Sequence, residues 1–123
     1  MSNIKYNEEQ EAFELPYKLW DNAITVRFYA DSEEDIISNL SEIAVQLEYV
    51  NSNKKAIATL IADEGLYDGA DEVLIKHICL ESIYVDVDDE EIVVCFTVDS
   101  IDGYMTSVNI ELYETEFEIT SRN

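Results

Sequence analysis

Alternating apolar and polar positions predict β-strands toward both ends of the chain. Across residues 13–29, apolar side chains recur at every second position on both sides of Asp21-Asn22, which predicts a β-hairpin with those two residues as its turn. The same period returns from Cys79 onward, where the acidic residues 88–91 and the Asp102-Gly103 step separate three strands. The pattern leaves a further short strand open at Phe117 and Ile119.

Between these two groups of strands the apolar spacing changes to three and four residues, which is typical of amphipathic helices. Acidic residues at 31–35 predict the start of a first helix that runs to Val50, because carboxylates are favoured at the amino end of a helix. Residues 51–53 predict its end. A second helix is predicted to end at Gly65 or Gly69, before a short third helix.

Strands grouped apart from helices predict an α+β fold. The predicted order is β-β-α-α-(α)-β-β-β, with an antiparallel sheet and two to three helices packed on one face. The length favours one domain over residues 1–123, and the polar residues 1–11 are expected to be flexible.

The period of two also predicts which strand residues share a face. The face toward the helices is expected to carry Leu15, Val26, Val85, Val94, Phe96 and Ile110. The opposite face is expected to carry Trp20, Tyr29, Tyr84, Cys95, Glu111 and Tyr113. Aromatic rings among charged residues are typical of protein interfaces, although the same rings could serve only to shield an open sheet.

Charge narrows the classes of partner. The chain has 28 Asp and Glu against 7 Lys and Arg, so its formal net charge is −21. Between Lys76 and Arg122 there are twelve carboxylates and no Lys or Arg. This balance excludes a binder that neutralises nucleic-acid phosphates or anionic lipid, and it favours a basic protein partner. Solubility alone is the competing explanation for the acidity.

Candidate chemistry is sparse. The single histidine, His77, and the two cysteines, Cys79 and Cys95, lack metal-ligand spacing and are interpreted as structural residues of a reduced, cytosolic protein. The run 86–91 lacks the glycine and the final glutamate of a calcium loop, so it is interpreted as a solvated hairpin tip. No phosphate-binding motif, secretory signal or membrane span is recognisable. The chain is therefore expected not to be an enzyme and to bind no cofactor.

Two stretches carry a family resemblance. Residues 17–26, Tyr-Lys-Leu-Trp-Asp-Asn-Ala-Ile-Thr-Val, precede the acidic-capped helical region, and residues 80–85, Leu-Glu-Ser-Ile-Tyr-Val, precede a charged turn and the strand 92–98. Together they resemble families of small acidic bacterial α+β domains that include immunity proteins paired with polymorphic or contact-dependent toxins. The chain departs from that pattern at Asn22, where relatives prefer glycine. It also departs after Asp102-Gly103-Tyr104, where Met-Thr replaces Gly-His, so no histidine site is carried over.

The resemblance and the charge imply the same function. They imply a cytosolic immunity protein that occludes the active site of a basic toxin, most simply a nuclease such as an RNase. The residues expected to contact the toxin are Asp86, Asp88, Asp89, Glu90, Glu91, Glu111, Glu114, Glu116, Tyr84, Tyr113 and Trp20. Two alternatives stay open: an acidic nucleic-acid mimic that inhibits a DNA-binding protein, and a small-molecule-binding domain. The oligomeric state also stays open.

Overall fold

The computed structural model describes residues 4–69, 71–88, 91–103 and 105–122 of the chain. It confirms an α+β fold, with seven strands and four helices among the described residues. None of these helices is long and apolar enough to cross a lipid bilayer. In chain order the elements are β1 (Lys5–Asn7), β2 (Ala12–Leu19), β3 (Asn22–Tyr29), α1 (Glu33–Ser38), α2 (Leu40–Ser52), α3 (Lys54–Asp63), α4 (Asp71–His77), β4 (Ile78–Val87), β5 (Ile92–Ser100), β6 (Val108–Tyr113) and β7 (Glu116–Arg122).

The strands lie in one sheet in the order in which they occur along the chain. Every neighbouring pair is antiparallel except β3 and β4, which run parallel with Val26 opposite Ile83. The prediction of a purely antiparallel sheet is therefore wrong. All four helices lie in the connection between β3 and β4, and such a long crossover is what a parallel pair requires.

The structure adds a strand at each end of the predicted order and divides one predicted helix. Residues 5–7, expected to be flexible, form the edge strand β1, and the strand left open at Phe117 and Ile119 is β7. The first predicted helix is divided at Asn39 into α1 and α2. The Asn39 backbone amide donates to Ile36 O at 3.1 Å, and its side-chain amide donates to Asp35 O at 2.8 Å. Asn39 thus takes over carbonyls that a continuous helix would pair with the next turn.

One apolar core joins the helices to the sheet. Of the residues predicted for the core face, Val26, Val85, Val94, Phe96 and Ile110 are buried, while Leu15 is half-buried and packs against the core. The helical residues of the same cluster recur at spacings of three and four. They are Ile36, Ile43, Leu47, Val50, Ile57, Ala58, Ile61 and Leu74. The predicted periodicities therefore identify most of the core.

Trp20 is the clearest departure from the predicted surface. The β2–β3 turn consists of Trp20-Asp21, with φ of 52° and 63°, and Leu19 pairs with Asn22. This turn lies one residue earlier than predicted, so the indole is only 8% exposed and belongs to the core. Its Nε1 donates to Val50 O at 3.0 Å, and its backbone amide donates to Asn51 Oδ1 at 2.8 Å. The prediction that Trp20 lies on the exposed face of the sheet is therefore wrong.

Candidate protein-binding surface

A single line of side chains crosses the sheet on the face opposite the apolar core. Strand register places one residue from each strand in this line, which we call the central rank. From β1 to β7 its members are Lys5, Glu14, Arg27, Tyr84, Cys95, Glu111 and Glu118. Its cations lie on β1 and β3, and β6 and β7 contribute only acids. Charge is therefore divided along this face.

Arg27 is already engaged with a neighbour on its own side of the sheet. Its Nε lies 3.2 Å from Glu14 Oε2, and both side chains are partly exposed. A pair at this exposure stabilises the fold weakly, but it offsets the positive charge of the guanidinium. On the β6–β7 side of this face, Glu111 and Glu118 make the charge negative.

Three tyrosines and two carboxylates lie together where the central rank meets the next row of residues. We call this group the acid–tyrosine patch; it consists of Tyr29, Tyr84, Asp86, Glu111 and Tyr113. The tyrosines are 38%, 39% and 38% exposed, in that order. Tyr29 contacts Tyr84 edge to face with ring centroids 5.3 Å apart, and the Tyr113 hydroxyl donates to Glu111 Oε2. Each ring thus presents an apolar face to solvent while a neighbour restrains it.

The patch shifts the ionisation of its own phenols. The hydrogen bond to the Cys95 side chain, aided by burial and by Glu111 and Asp86, raises the pKa of Tyr84 to about 12. The hydrogen bond to Glu111 raises the pKa of Tyr113 to about 12. Burial also raises the pKa of the Cys95 thiol. Both phenols therefore stay neutral at physiological pH and remain hydrogen-bond donors.

This pKa shift predicts a titration result. At about pH 11 an ordinary phenol, with a pKa near 10, is mostly ionised, whereas a phenol with a pKa of about 12 is mostly neutral. We therefore expect the double replacement Tyr84→Phe and Tyr113→Phe to remove little tyrosinate absorbance from the folded protein at that pH. In urea the same replacement should remove the signal of two tyrosines. Because the pKa values of Tyr84 and Tyr113 are higher in the folded protein than in the unfolded chain, their neutral phenols stabilise the fold below about pH 10. This contribution is lost as pH rises toward 12. A loss of two tyrosinates from the folded protein would contradict the raised values.

Two acids oppose each other directly at the β6–β7 end of the rank. Glu111 pairs with Glu118 in the antiparallel register, and like charges in that position destabilise a sheet. The Tyr113 hydroxyl donates one hydrogen bond to Glu111, which does not neutralise its charge. The fold therefore maintains a repulsive pair on an exposed face, which a cationic partner would relieve.

We expect Glu118→Thr to increase the free energy of unfolding by about 0.5 kcal/mol, because it removes the repulsion and introduces a β-branched residue into a strand. Chemical denaturation at low and high salt would measure the effect, and the gain should shrink as salt screens the charges. Glu116→Thr is the control, because it makes the same replacement at an exposed position of the same strand that pairs with Tyr113 instead of an acid. Equal gains from both replacements would show that net charge, rather than this pair, sets the effect.

An acidic cleft adjoins the patch. Its volume is about 490 Å³, and its carboxylates come from three segments of the chain: Glu11, Asp31 with Asp35, and Asp86 with Asp88. Tyr29 and Asp86 belong to both the cleft and the patch. The cleft lies where the parallel strands β3 and β4 end, which is where ligands of sheets with parallel strands commonly bind.

The structure brings together about half of the residues predicted to contact a partner. Tyr84, Asp86, Glu111 and Tyr113 form the patch, and Asp88 lines the adjoining cleft. The remaining predicted residues lie at or beside turns, in the core, or outside the described residues. Glu91 accepts a backbone hydrogen bond from Asp88, Glu114 is in the β6–β7 turn with φ of 56°, and Glu116 pairs with Tyr113. Trp20 lies in the core. Asp89 and Glu90 lie outside the described residues.

Sequence reasoning assigned Tyr29 to this face but omitted it from the contact residues, and it missed Glu11, Asp31 and Asp35 altogether. Asp31 and Asp35 were explained by their place before and within the first turn of a helix. The signal that unites them with Asp86 is the parallel pairing of β3 and β4, which brings Tyr29 opposite Asp86. That pairing is a tertiary feature, so the local pattern did not contain it.

The rest of the described surface offers little chemistry. Among the residues that the structure describes, no group of three or more His, Cys, Asp or Glu side chains is placed to hold a metal ion. His77 Nε2 lies 3.9 Å from Asp102 Oδ2, which also accepts a 2.5 Å hydrogen bond from the Tyr67 hydroxyl. These contacts connect α4 and the segment before it to the β5–β6 loop, which is a structural arrangement.

No protein-family model matches this chain, and neither a search of curated proteins nor one of solved structures found a significant match.

Proposed function

We propose that this chain is an immunity protein that binds and neutralises a basic toxin, and that the toxin is a nuclease. The observation that carries the proposal is the joint placement of three half-exposed tyrosines and the carboxylates of the acid–tyrosine patch beside the acidic cleft. Large rings supply contact area at low cost in conformational entropy, and the acids select a cationic partner. Solubility requires neither the clustering nor the rings.

The mechanism we infer is occlusion of the toxin active site. A nuclease binds a polyanion, so its active site carries clustered Lys and Arg. The cleft and patch acids would occupy the positions of substrate phosphates, and the side chains of Tyr84 and Tyr113 would fill spaces between the basic residues. In such pairs the exposed acids mainly raise the rate of association, while desolvated rings mainly slow dissociation.

The fold leaves a broad surface for this contact. We infer that the helices cover the core face of the sheet, since their buried residues belong to the same cluster as the core-face strand residues. The opposite face, with the central rank, is then open to a partner over β3 to β7. We place the protein in the cytosol, where its target would act on nucleic acid.

Co-expression tests this proposal. The neighbouring coding sequence is expected to encode a domain with a high isoelectric point that stops growth when expressed alone. Co-expression of this chain with that basic domain should restore growth. The purified complex of the two proteins should dissociate more readily as salt increases. A neighbouring sequence without a toxic basic domain, or a toxin whose effect this chain leaves unchanged, would overturn the proposal.

A further inference from the structure

Strands β3 and β4 separate at the end of the sheet that lies away from the acidic cleft. Their parallel register covers only Val26–Tyr29 and Ile83–Asp86, although β3 begins at Asn22 and β4 at Ile78. A bulge between Leu80 and Ser82 shifts the register of β4 against β5 at the same level. A bulge bends the strand that contains it, so β4 turns away from β3 and opens a gap in the sheet.

This gap is a cavity of about 360 Å³ with an amphipathic lining. Its apolar residues come from both separated strands, and Leu19 and Ile78 are buried in its floor. Ile101 lies at its edge with 72% of its surface exposed, which is unusual for an isoleucine. The full lining is Leu19, Asn22, Ile24, Lys54, Lys76, Ile78, Cys79, Leu80 and Ile101. Its size and its apolar majority are typical of small-molecule sites.

The charged residues that line the cavity are basic, whereas the chain as a whole is strongly acidic. Two of the seven basic residues of the chain, Lys54 and Lys76, line the cavity, and its lining residues include no Asp or Glu. Lys54 Nζ lies 5.6 Å from the centre of the Trp20 ring, a cation–π contact that restrains this ammonium group. Lys76 lies in the last turn of α4, on a different helix. Two lysines on different helices thus line a largely apolar cavity in a chain whose net charge is −21.

We propose that this cavity binds an aliphatic carboxylate, with the carboxylate between Lys54 and Lys76 and the hydrocarbon chain over Ile24, Leu80 and Ile101. The lysines define the charge of the ligand, and the aliphatic lining defines its tail. A polyanion is a poorer fit, because the rest of the surface repels it. The site lies about 20 Å along β4 from Asp86, so it does not depend on the proposed partner surface.

Titration with octanoate, followed by amide chemical shifts of the ¹⁵N-labelled chain, tests this site. We expect shifts at Ile78–Leu80 and at Ile24, with a dissociation constant on the order of 1 mM for so small a ligand. Octanamide has the same shape without the charge, so its affinity should be lower by a factor of about five or more. Shifts at Asp86 and Tyr84 should stay small.

Charge-removing variants locate the carboxylate. Lys54→Gln and Lys76→Gln should each weaken octanoate binding about fivefold, and Lys55→Gln, next in sequence but outside the cavity, should not. Lys54→Gln also loses the ring contact, so Lys76→Gln gives a test that leaves Trp20 untouched. The site is overturned if octanoate and octanamide bind equally, if neither cavity lysine affects affinity, or if shifts appear away from the gap.

Discussion

Trp20→Ala is expected to lower the free energy of unfolding by about 3–5 kcal/mol, the range measured when large buried aromatic side chains are truncated. The residue is 8% exposed and belongs to the same core cluster as Val50 and Ile57. Stabilities of small domains are about 5–15 kcal/mol, so this single change would remove a large share. It should also reduce partner binding at growth temperature by lowering the folded fraction of the protein.

The size of the effect follows from the number of functions that one side chain performs. The indole fills core volume at the hairpin end, and its Nε1 donates to Val50 O in the last turns of α2. Its backbone amide donates a hydrogen bond to Asn51 Oδ1. A tryptophan at φ 52° is a strained conformation that persists only when surrounding contacts determine it. Trp20 therefore joins the β2–β3 turn to the carboxyl end of α2.

Urea denaturation of Trp20→Ala and Trp20→Phe separates these contributions. The phenylalanine variant retains most of the apolar volume and loses the donor to Val50, so it should cost about 1–2 kcal/mol, less than the alanine variant. Tyr84→Ala is the comparison on the exposed face and should cost less than about 1 kcal/mol. A Trp20→Ala protein of nearly unchanged stability that fails to bind its partner would restore Trp20 to the interface, against the burial seen here.

Local periodicity predicted the parts of the fold that local interactions determine. The strands from Phe13 to Tyr29 and from Cys79 onward, the three helical stretches and most core positions follow from spacings of two and of three to four. The parallel β3–β4 pair could not be predicted in this way. A short turn forces antiparallel neighbours, whereas the long helical connection between β3 and β4 permits either direction.

The division of the first predicted helix shows a second limit. The apolar stripe continues through Ile36, Leu40 and Ile43, so the pattern alone predicts one helix. Asn39 ends α1 by donating to carbonyls at positions 35 and 36, a competition that side-chain amides exert on backbone hydrogen bonds. The spacing of apolar residues does not encode this competition.

The candidate surface was predictable to the extent that it lies within single strands. Tyr84, Glu111 and Tyr113 share a face because alternation places them there, and the register agrees. Trp20 was misplaced because a shift of one residue in a two-residue turn moves a side chain from the surface to the core. The acidic cleft requires Glu11, Asp31 and Asp86 to come together from separate segments, so only the assembled sheet shows it.

Tyr84→Ala is expected to weaken binding of the co-expressed toxin domain about 30-fold or more, which is the range of truncated aromatic residues at the centre of an interface. Tyr84 occupies the middle of the acid–tyrosine patch, in contact with Tyr29 and in the same rank as Glu111. Its loss removes contact area without removing charge. The effect should therefore appear mainly in the dissociation rate and depend little on salt.

Asp86→Lys provides the electrostatic counterpart. Asp86 belongs to both the patch and the cleft, so reversing its charge should slow association with a basic domain about tenfold at low salt. Asp63→Lys is the matched control, because it makes the same charge change at the exposed carboxyl end of α3, outside the cleft. Stopped-flow association at two salt concentrations would compare them, and the difference should shrink as salt increases.

The two replacements together distinguish a specific surface from a diffuse anionic field. If net charge alone attracted the toxin, Asp86→Lys and Asp63→Lys would slow association equally, and Tyr84→Ala would leave the dissociation rate unchanged. A specific surface instead requires a position-dependent loss of association rate at Asp86 and a salt-independent increase in dissociation rate at Tyr84, in a protein whose stability stays near that of the wild type. Equal effects of the two lysine variants would therefore exclude the acid–tyrosine patch as the binding site.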